Sequence, residues 1–125
     1  MNRLIKSMAT LSSHILNSTN GQHADGVKVI VFKINNKGER ELFCETVTDS
    51  GGRIIEEFEL TLEDCNCEFE MVLKTGEYFS DNNVELAQGK VLSDIVLRFR
   101  MKQANKKYHL PLMVSPNSYS VWWSE

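Results

Sequence analysis

Imidazole is the side chain best suited to moving protons near neutral pH. The 125-residue chain carries three, at His14, His23 and His109. His14 lies in Leu11-Ser-Ser-His-Ile-Leu16 and His109 in Tyr108-His-Leu-Pro111, which read as an early and a late strand. Side chains alternate along a strand, so Ser12, His14 and Leu16 share a face that either lines a cleft or meets solvent. His23 falls in a turn between Asn20-Gly21 and Asp25-Gly26 and is expected to be merely exposed. Arg53 ends the loop Asp49-Ser-Gly-Gly-Arg53. A loop arginine is ordinarily surface decoration, yet its guanidinium fork also suits an anionic or planar ring held by paired hydrogen bonds. No Gly-x-Ser-x-Gly elbow, P-loop or dinucleotide fingerprint occurs. The acidic residues Glu56, Glu57, Glu59, Glu63 and Asp64 lack the spacing of a calcium loop and read as a solvated face. Cys44, Cys65 and Cys67 form an odd set that closes one bridge at most, and Cys65-x-Cys67 is not the usual zinc spacing. Reduced thiols and no bound metal are the expectation.

The elements that must position these groups are short strands. Turn signals recur at Asn20-Gly21, Asp25-Gly26, Asn35-Asn36-Lys37-Gly38, Ser50-Gly51-Gly52, Thr75-Gly76, Gln88-Gly89 and Ser115-Pro116-Asn117. Between them lie Val27–Ile34, Glu41–Val47, Glu68–Lys74, Asp94–Lys102, Tyr108–Val114 and Tyr119–Trp123, with Val27, Val29 and Val31, then Phe69, Met71 and Leu73, then Ile95, Leu97, Phe99 and Met101 each on one face. Period-two patterning broken every 8–12 residues or so predicts an all-β sandwich or barrel. Residues Ser80–Ala87 suit a short helix capped by Ser80 or Asp81. Pro111 cannot donate to a ladder, so its strand lies at an edge or is bulged there.

The length allows one domain, read as a flexible lead-in over 1–10 and a folded unit over 11–125. A net charge of −3, with cations dispersed along the chain, argues against a nucleic-acid partner. No apolar run reaches the roughly 20 residues that span a bilayer, and Met1–Leu11 lacks the apolar stretch of a secretory signal. A cytoplasmic location is expected. Arg3-Leu4 followed by Thr10-Leu11 is a partial match to a peroxisomal signal, with Thr10 where His or Gln is expected.

Six segments together resemble the transthyretin-like family: Ser13-His-Ile-Leu16 with Thr19-Asn-Gly21; Ala24-Asp-Gly-Val27; Thr48-Asp-Ser-Gly-Gly-Arg53; Lys74-Thr-Gly-Glu-Tyr-Phe79; Tyr108-His-Leu-Pro-Leu112; and Ser115-Pro-Asn-Ser-Tyr-Ser120. They occur in the family's order over about residues 11 to 121. The resemblance implies a two-sheet antiparallel β-sandwich, a short helix after Phe79, and a homotetramer whose binding sites draw residues from more than one subunit. Hormone carriers of the family have Lys, Glu and Thr at the positions matching His14, Arg53 and His109; the 5-hydroxyisourate hydrolases have His, Arg and His, as here. That branch opens the ring of 5-hydroxyisourate with water during urate degradation, without a cofactor. His14 would then activate water, His109 would orient water or serve the leaving group, those two roles being exchangeable, and Arg53 would hold substrate oxygens. Ser120, near the same end, would contribute a hydroxyl.

The C-terminus departs from the pattern. The hydrolases usually end in Tyr-Arg-Gly-Ser, where this chain has Trp122-Trp-Ser-Glu125. An arginine is lost, two indoles are gained as substrate-contacting surface, and Glu125 adds an acid. Val91-Leu-Ser-Asp94 stands where aromatic-Pro-Glu is common. Three functions follow: a hydroxyisourate hydrolase using His14, Arg53 and His109; a non-catalytic transthyretin-like tetramer whose Trp122 and Trp123 form a pocket for an aromatic molecule in the inter-dimer channel; and a related hydrolase with a changed substrate.

Overall fold

The computed structural model describes residues 8–82, 85 and 88–125. It is a sandwich of two sheets. One sheet runs β4 (Arg40–Val47), β3 (Lys28–Ile34), β6 (Glu68–Leu73) and β7 (Ile95–Arg100), antiparallel throughout. The other is organised around β1 (Ala9–Asn17). The first part of β1 pairs with β5 (Arg53–Phe58) on one side and β8 (Lys107–His109) on the other; its last part pairs with β2 (Gln22–His23) and β9 (Leu112–Ser115). β10 (Ser118–Val121) closes that sheet against β9.

Alternation decides what each strand buries. In β1, Leu11, Ser13 and Ile15 face the core while Ser12, His14 and Leu16 are half-buried on the outer face. Val29 and Val31, then Phe69, Met71 and Leu73, are fully buried, and Ile95 and Met101 join them. A bulge in the β3–β4 pairing at Val31/Phe32 leaves Phe43 without an opposite residue. Phe43 packs inward, its ring 4.5 Å from Phe58 and 5.0 Å from Phe69. A bulge of this kind re-aims one side chain at the cost of one rung.

Several expectations need correction. β1 starts at Ala9, which is fully buried, so residues 9 and 10 belong to the sheet and not to a lead-in; residues 1–7, including Arg3-Leu4, lie outside the described residues. The strand expected over Tyr108–Val114 is split into β8 and β9 at Leu110-Pro111. Pro111 is not at an edge, since the C-terminal segment runs beside it: its carbonyl accepts from the Trp122 N–H at 3.3 Å. The return bond cannot form because proline has no N–H.

The helix expected over 80–87 is α2, Thr75–Asn82; residues 83, 84, 86 and 87 lie outside the described residues. Its start was hidden by Gly76, which reads as a turn. A Cβ there would sit 2.4 Å from the Ser93 carbonyl oxygen, so the glycine serves close packing. Part of the supposed acidic face forms α1, Leu62–Asn66, closed by a capping box in which Thr61 Oγ1 accepts from the Asp64 N–H and Asp64 accepts from the Thr61 N–H. All three cysteines are free, and burial together with Glu56 pushes the Cys44 thiol up to about 11. The divergent Val91–Asp94 segment is tied down by Asn117, whose side-chain oxygen accepts from the Val91 and Leu92 N–H groups.

Candidate active site

Strand registers lay the outer face of the β1 sheet out as rows. Ser12 stands between Ile55 of β5 and His109 of β8, and His109 in turn faces Ser124. Two residues along, His14 stands opposite Arg53. On its other side, by continuation of the register, come Pro111 and then Trp122. Two further along, Leu16 stands between His23 and Met113, and Met113 faces Ser120. Rows are about 6.7 Å apart and strands about 4.8 Å apart. His14, Arg53 and His109 therefore share one face and occupy adjacent rows.

The turn before β5 fixes Arg53. Asp49 Oδ1 accepts from the Gly51 N–H at 2.9 Å and the Arg53 N–H at 3.0 Å, and these bonds, led by that from Arg53, hold the Asp49 carboxyl below its ordinary range. Gly52 has φ of +70°, and a Cβ there would stand 2.4 Å from the Ile15 carbonyl oxygen. Its own carbonyl accepts from the Ile15 N–H at 2.8 Å. Only glycine combines that φ with that approach, and the next residue is delivered opposite His14.

The two predicted catalytic imidazoles are both held. His109 Nδ1 is 2.8 Å from Ser12 Oγ. His109 is also clamped through its backbone: its N–H donates to the Ser124 carbonyl at 3.0 Å and its carbonyl accepts from the Ser124 N–H at 2.9 Å. His14 Nε2 is 3.0 Å from His23 Nδ1, the ring centroids 5.1 Å apart. Partial burial, then the Arg53 cation, then His23, lower the His14 pKa from its ordinary 6.5, against a Gly51 backbone hydrogen bond that favours the charged ring. A neutral imidazole beside a guanidinium can take a proton from water while the cation stabilises an oxyanion.

His23 is the residue that the sequence did not reveal. It is exposed, as expected, but it is not idle: β2 places it beside His14. Its one sequence signal was the possibility of pairing between the Asn17–Gly21 turn's two flanks. Ser120 lies two strands from β1, in the Leu16 row, about four residues along the ladder from the position facing His109, and so is not brought against either candidate imidazole within one chain. The two indoles part company. Trp122 falls on the site face in the His14 row. Trp123 points to the other side, where Lys106 Nζ lies 5.6 Å from its ring and Arg100, Lys102, Gln103 and Tyr108 line the same cavity. Within one chain the two indoles therefore lie on opposite sides of the strand. Glu125 pairs with Lys106 and also borders a cleft of about 310 Å3 with Ser12, Ile55, Glu57, Lys107 and His109.

The family model described as HIUase/Transthyretin family matches residues 11–123. The chain belongs to this family. Among HIUase/transthyretin proteins, a 5-hydroxyisourate hydrolase of Pseudomonas aeruginosa is 32% identical over 116 residues, covering 92% of this chain and 90% of its own. One from Halalkalibacterium halodurans is 30% identical, covering 90% and 94%. The Klebsiella pneumoniae 5-hydroxyisourate hydrolase structure superposes with a TM-score of 0.70 at 26% identity, covering 93% of this chain and 99% of that one. An (S)-allantoin synthase structure gives a TM-score of 0.80 at 27% identity over 96% of this chain; this chain spans 45% of that chain's length. Sea bream transthyretin in complex with thyroxine, at 22% identity and a TM-score of 0.72, shares the fold.

Proposed function

We propose that this chain is a 5-hydroxyisourate hydrolase, opening the ring of its substrate with water during urate degradation. The observation that carries the reading is the placement of His14, Arg53 and His109 in adjacent rows on one face of the β1 sheet. It joins a sequence kinship with hydrolases that runs over most of the chain.

Hydrolysis of a cyclic amide forms a C–O bond from water and breaks a ring C–N bond. One proton leaves the water, the departing nitrogen gains one, and the new carboxylic acid ionises, so one proton is released overall. His14 and His109 supply the two imidazoles such a sequence needs, one beside the water and one beside the leaving nitrogen. Arg53 holds the carbonyl oxygen as negative charge gathers on it.

The face is open on one chain, with Ile55, Met113 and Trp122 exposed on it. That supports a second proposal, that copies of the chain assemble as a homotetramer and cover it; a cytoplasmic location belongs with the same reading. No helix among the described residues is long and apolar enough to cross a membrane. A changed substrate is the competing reading. It is favoured by Glu57 and Glu125 at the cleft beside His109, because carboxylates there disfavour an anionic ring.

The test generates 5-hydroxyisourate from urate with urate oxidase and follows its absorbance. Faster decay at micromolar protein, lost in His14→Ala and His109→Ala, supports the proposal. Decay at the spontaneous rate refutes it and leaves the changed substrate as the reading to pursue.

A further inference from the structure

The His14–His23 contact has a consequence for where a proton can enter the site. His14 Nε2 and His23 Nδ1 are 3.0 Å apart, so one proton lies between two rings and joins them. The direction of that bond is set by the tautomers of the two rings. With His23 Nδ1 turned toward His14, the outward nitrogen of the couple is His23 Nε2, on the exposed ring. When His23 donates from Nδ1 to His14 Nε2, that outward nitrogen carries a lone pair open to solvent.

His23 is also well placed for the reaction. It lies on the same side of β1 as Arg53, two positions along, and the turn holding Arg53 abuts it: a Cβ on Gly52 would be 3.4 Å from the His23 Cβ. Resting on the hydrolase reading, we propose that His14 and His23 act as a single two-ring base, in which His23 Nε2 takes the proton from water and His14 holds the ring and shares the charge. As water's oxygen bonds to the substrate carbonyl, its proton goes to His23 Nε2. The His23 Nδ1 proton moves toward His14 Nε2, and the cation is spread over both rings. The proton taken from water is then passed on to the departing nitrogen, and the one proton released when the product acid ionises departs through the exposed ring to solvent. This is the arrangement of a base oriented by a third group, with a second imidazole in place of the usual carboxylate. The titratable and charged groups facing the pair are Arg53 of β5, His109 of β8 and Asp49 of the preceding turn.

The experiment compares wild type, His23→Ala and His23→Gln, all checked for an unchanged thermal midpoint. For His23→Ala, kcat on 5-hydroxyisourate is expected to fall about 100-fold with KM held, and imidazole added at tens of millimolar is expected to restore part of it. His23→Gln keeps a hydrogen-bonding side chain without a proton acceptor and is expected to stay slow. A His23→Ala enzyme close to wild-type rate, a loss confined to KM, or a loss that imidazole does not relieve each overturns the proposal. Proton NMR of the His14 ring without substrate gives a readout independent of turnover. Removing His23 is expected to shift the His14 titration, and an unchanged titration overturns the pairing. If wild type fails to hydrolyse 5-hydroxyisourate, the substrate reading falls by itself, and this titration still decides the pair.

Discussion

His14 and Arg53 make the sharpest predictions at the scale of single residues. Burial first, and then the Arg53 cation, lower the His14 pKa, so its folded value lies below the ordinary 6.5. The neutral ring is the active form of a base, so the acid limb of kcat/KM should have its midpoint below 6.5, activity being lost as pH falls through it. Arg53→Ala removes one cause of the shift, and its limb should move up toward 6.5; a limb that stays in place would mean Arg53 does not act on His14. The same substitution removes the group meant to hold the oxyanion and should lower kcat by about 100-fold or more, measured in the absorbance assay. His14, Arg53 and His109 were singled out through the family resemblance, since by residue type alone a loop arginine is ordinarily surface decoration and a strand histidine often meets solvent. His23 was not legible. Its meaning lies in a contact between side chains on two strands, and a turn with Asn-Gly and Asp-Gly looks the same whether or not a ring leans on it. Trp122 and Trp123 share no face within one chain, because adjacent residues on a strand point to opposite sides.

Individual elements carry their own tests. The turn into β5 depends on Gly52, with its φ of +70° and its approach to the Ile15 carbonyl. Gly52→Ala should lower stability by about 2 kcal/mol or more, seen as a drop in chemical denaturation midpoint, and should also displace Arg53. β6 offers a second test. Glu70 is buried on the outer side of its sheet and receives Arg40 Nε at 2.8 Å and Arg98 at 3.3 Å. The Arg40 bond, then that from Arg98, outweigh burial and hold its carboxyl below the ordinary 4.5. A lowered acid stabilises the fold above its unfolded pKa and loses that contribution as pH falls through the folded value. Thermal midpoints should therefore drop on acidification below 4.5, and less steeply in Glu70→Gln than in wild type. Strands were legible wherever period two ran unbroken, as in β3 and β6. The helices were not. α1 is five residues long and shows only through the Thr61-x-x-Asp64 capping box, and α2 begins inside a Thr-Gly pair that reads as a turn.

At the scale of the whole molecule, the sandwich leaves the face of the candidate site uncovered on a single chain. The tetramer proposed above should appear as a mass of four chains in sedimentation equilibrium. Substituting exposed Ile55 or Met113 by a charged residue should shift that equilibrium toward smaller species if those side chains are covered by a partner. A monomer at micromolar concentration would refute the assembly.

One strand, β1, touches every part of the site at once: Ser12 meets His109, His14 meets Arg53 and Leu16 meets His23. Sliding β1 by a single residue would turn His14 inward and Ile15 outward and would break all these meetings together. The proposed catalytic set is thus present whole or absent in any one molecule. A variant that weakens β1 without touching the site face, such as Ser13→Ala, which removes the buried hydrogen bond to the Leu110 carbonyl, should yield a preparation containing fewer working molecules. Each survivor would turn over at full speed, with unaltered KM and pH dependence.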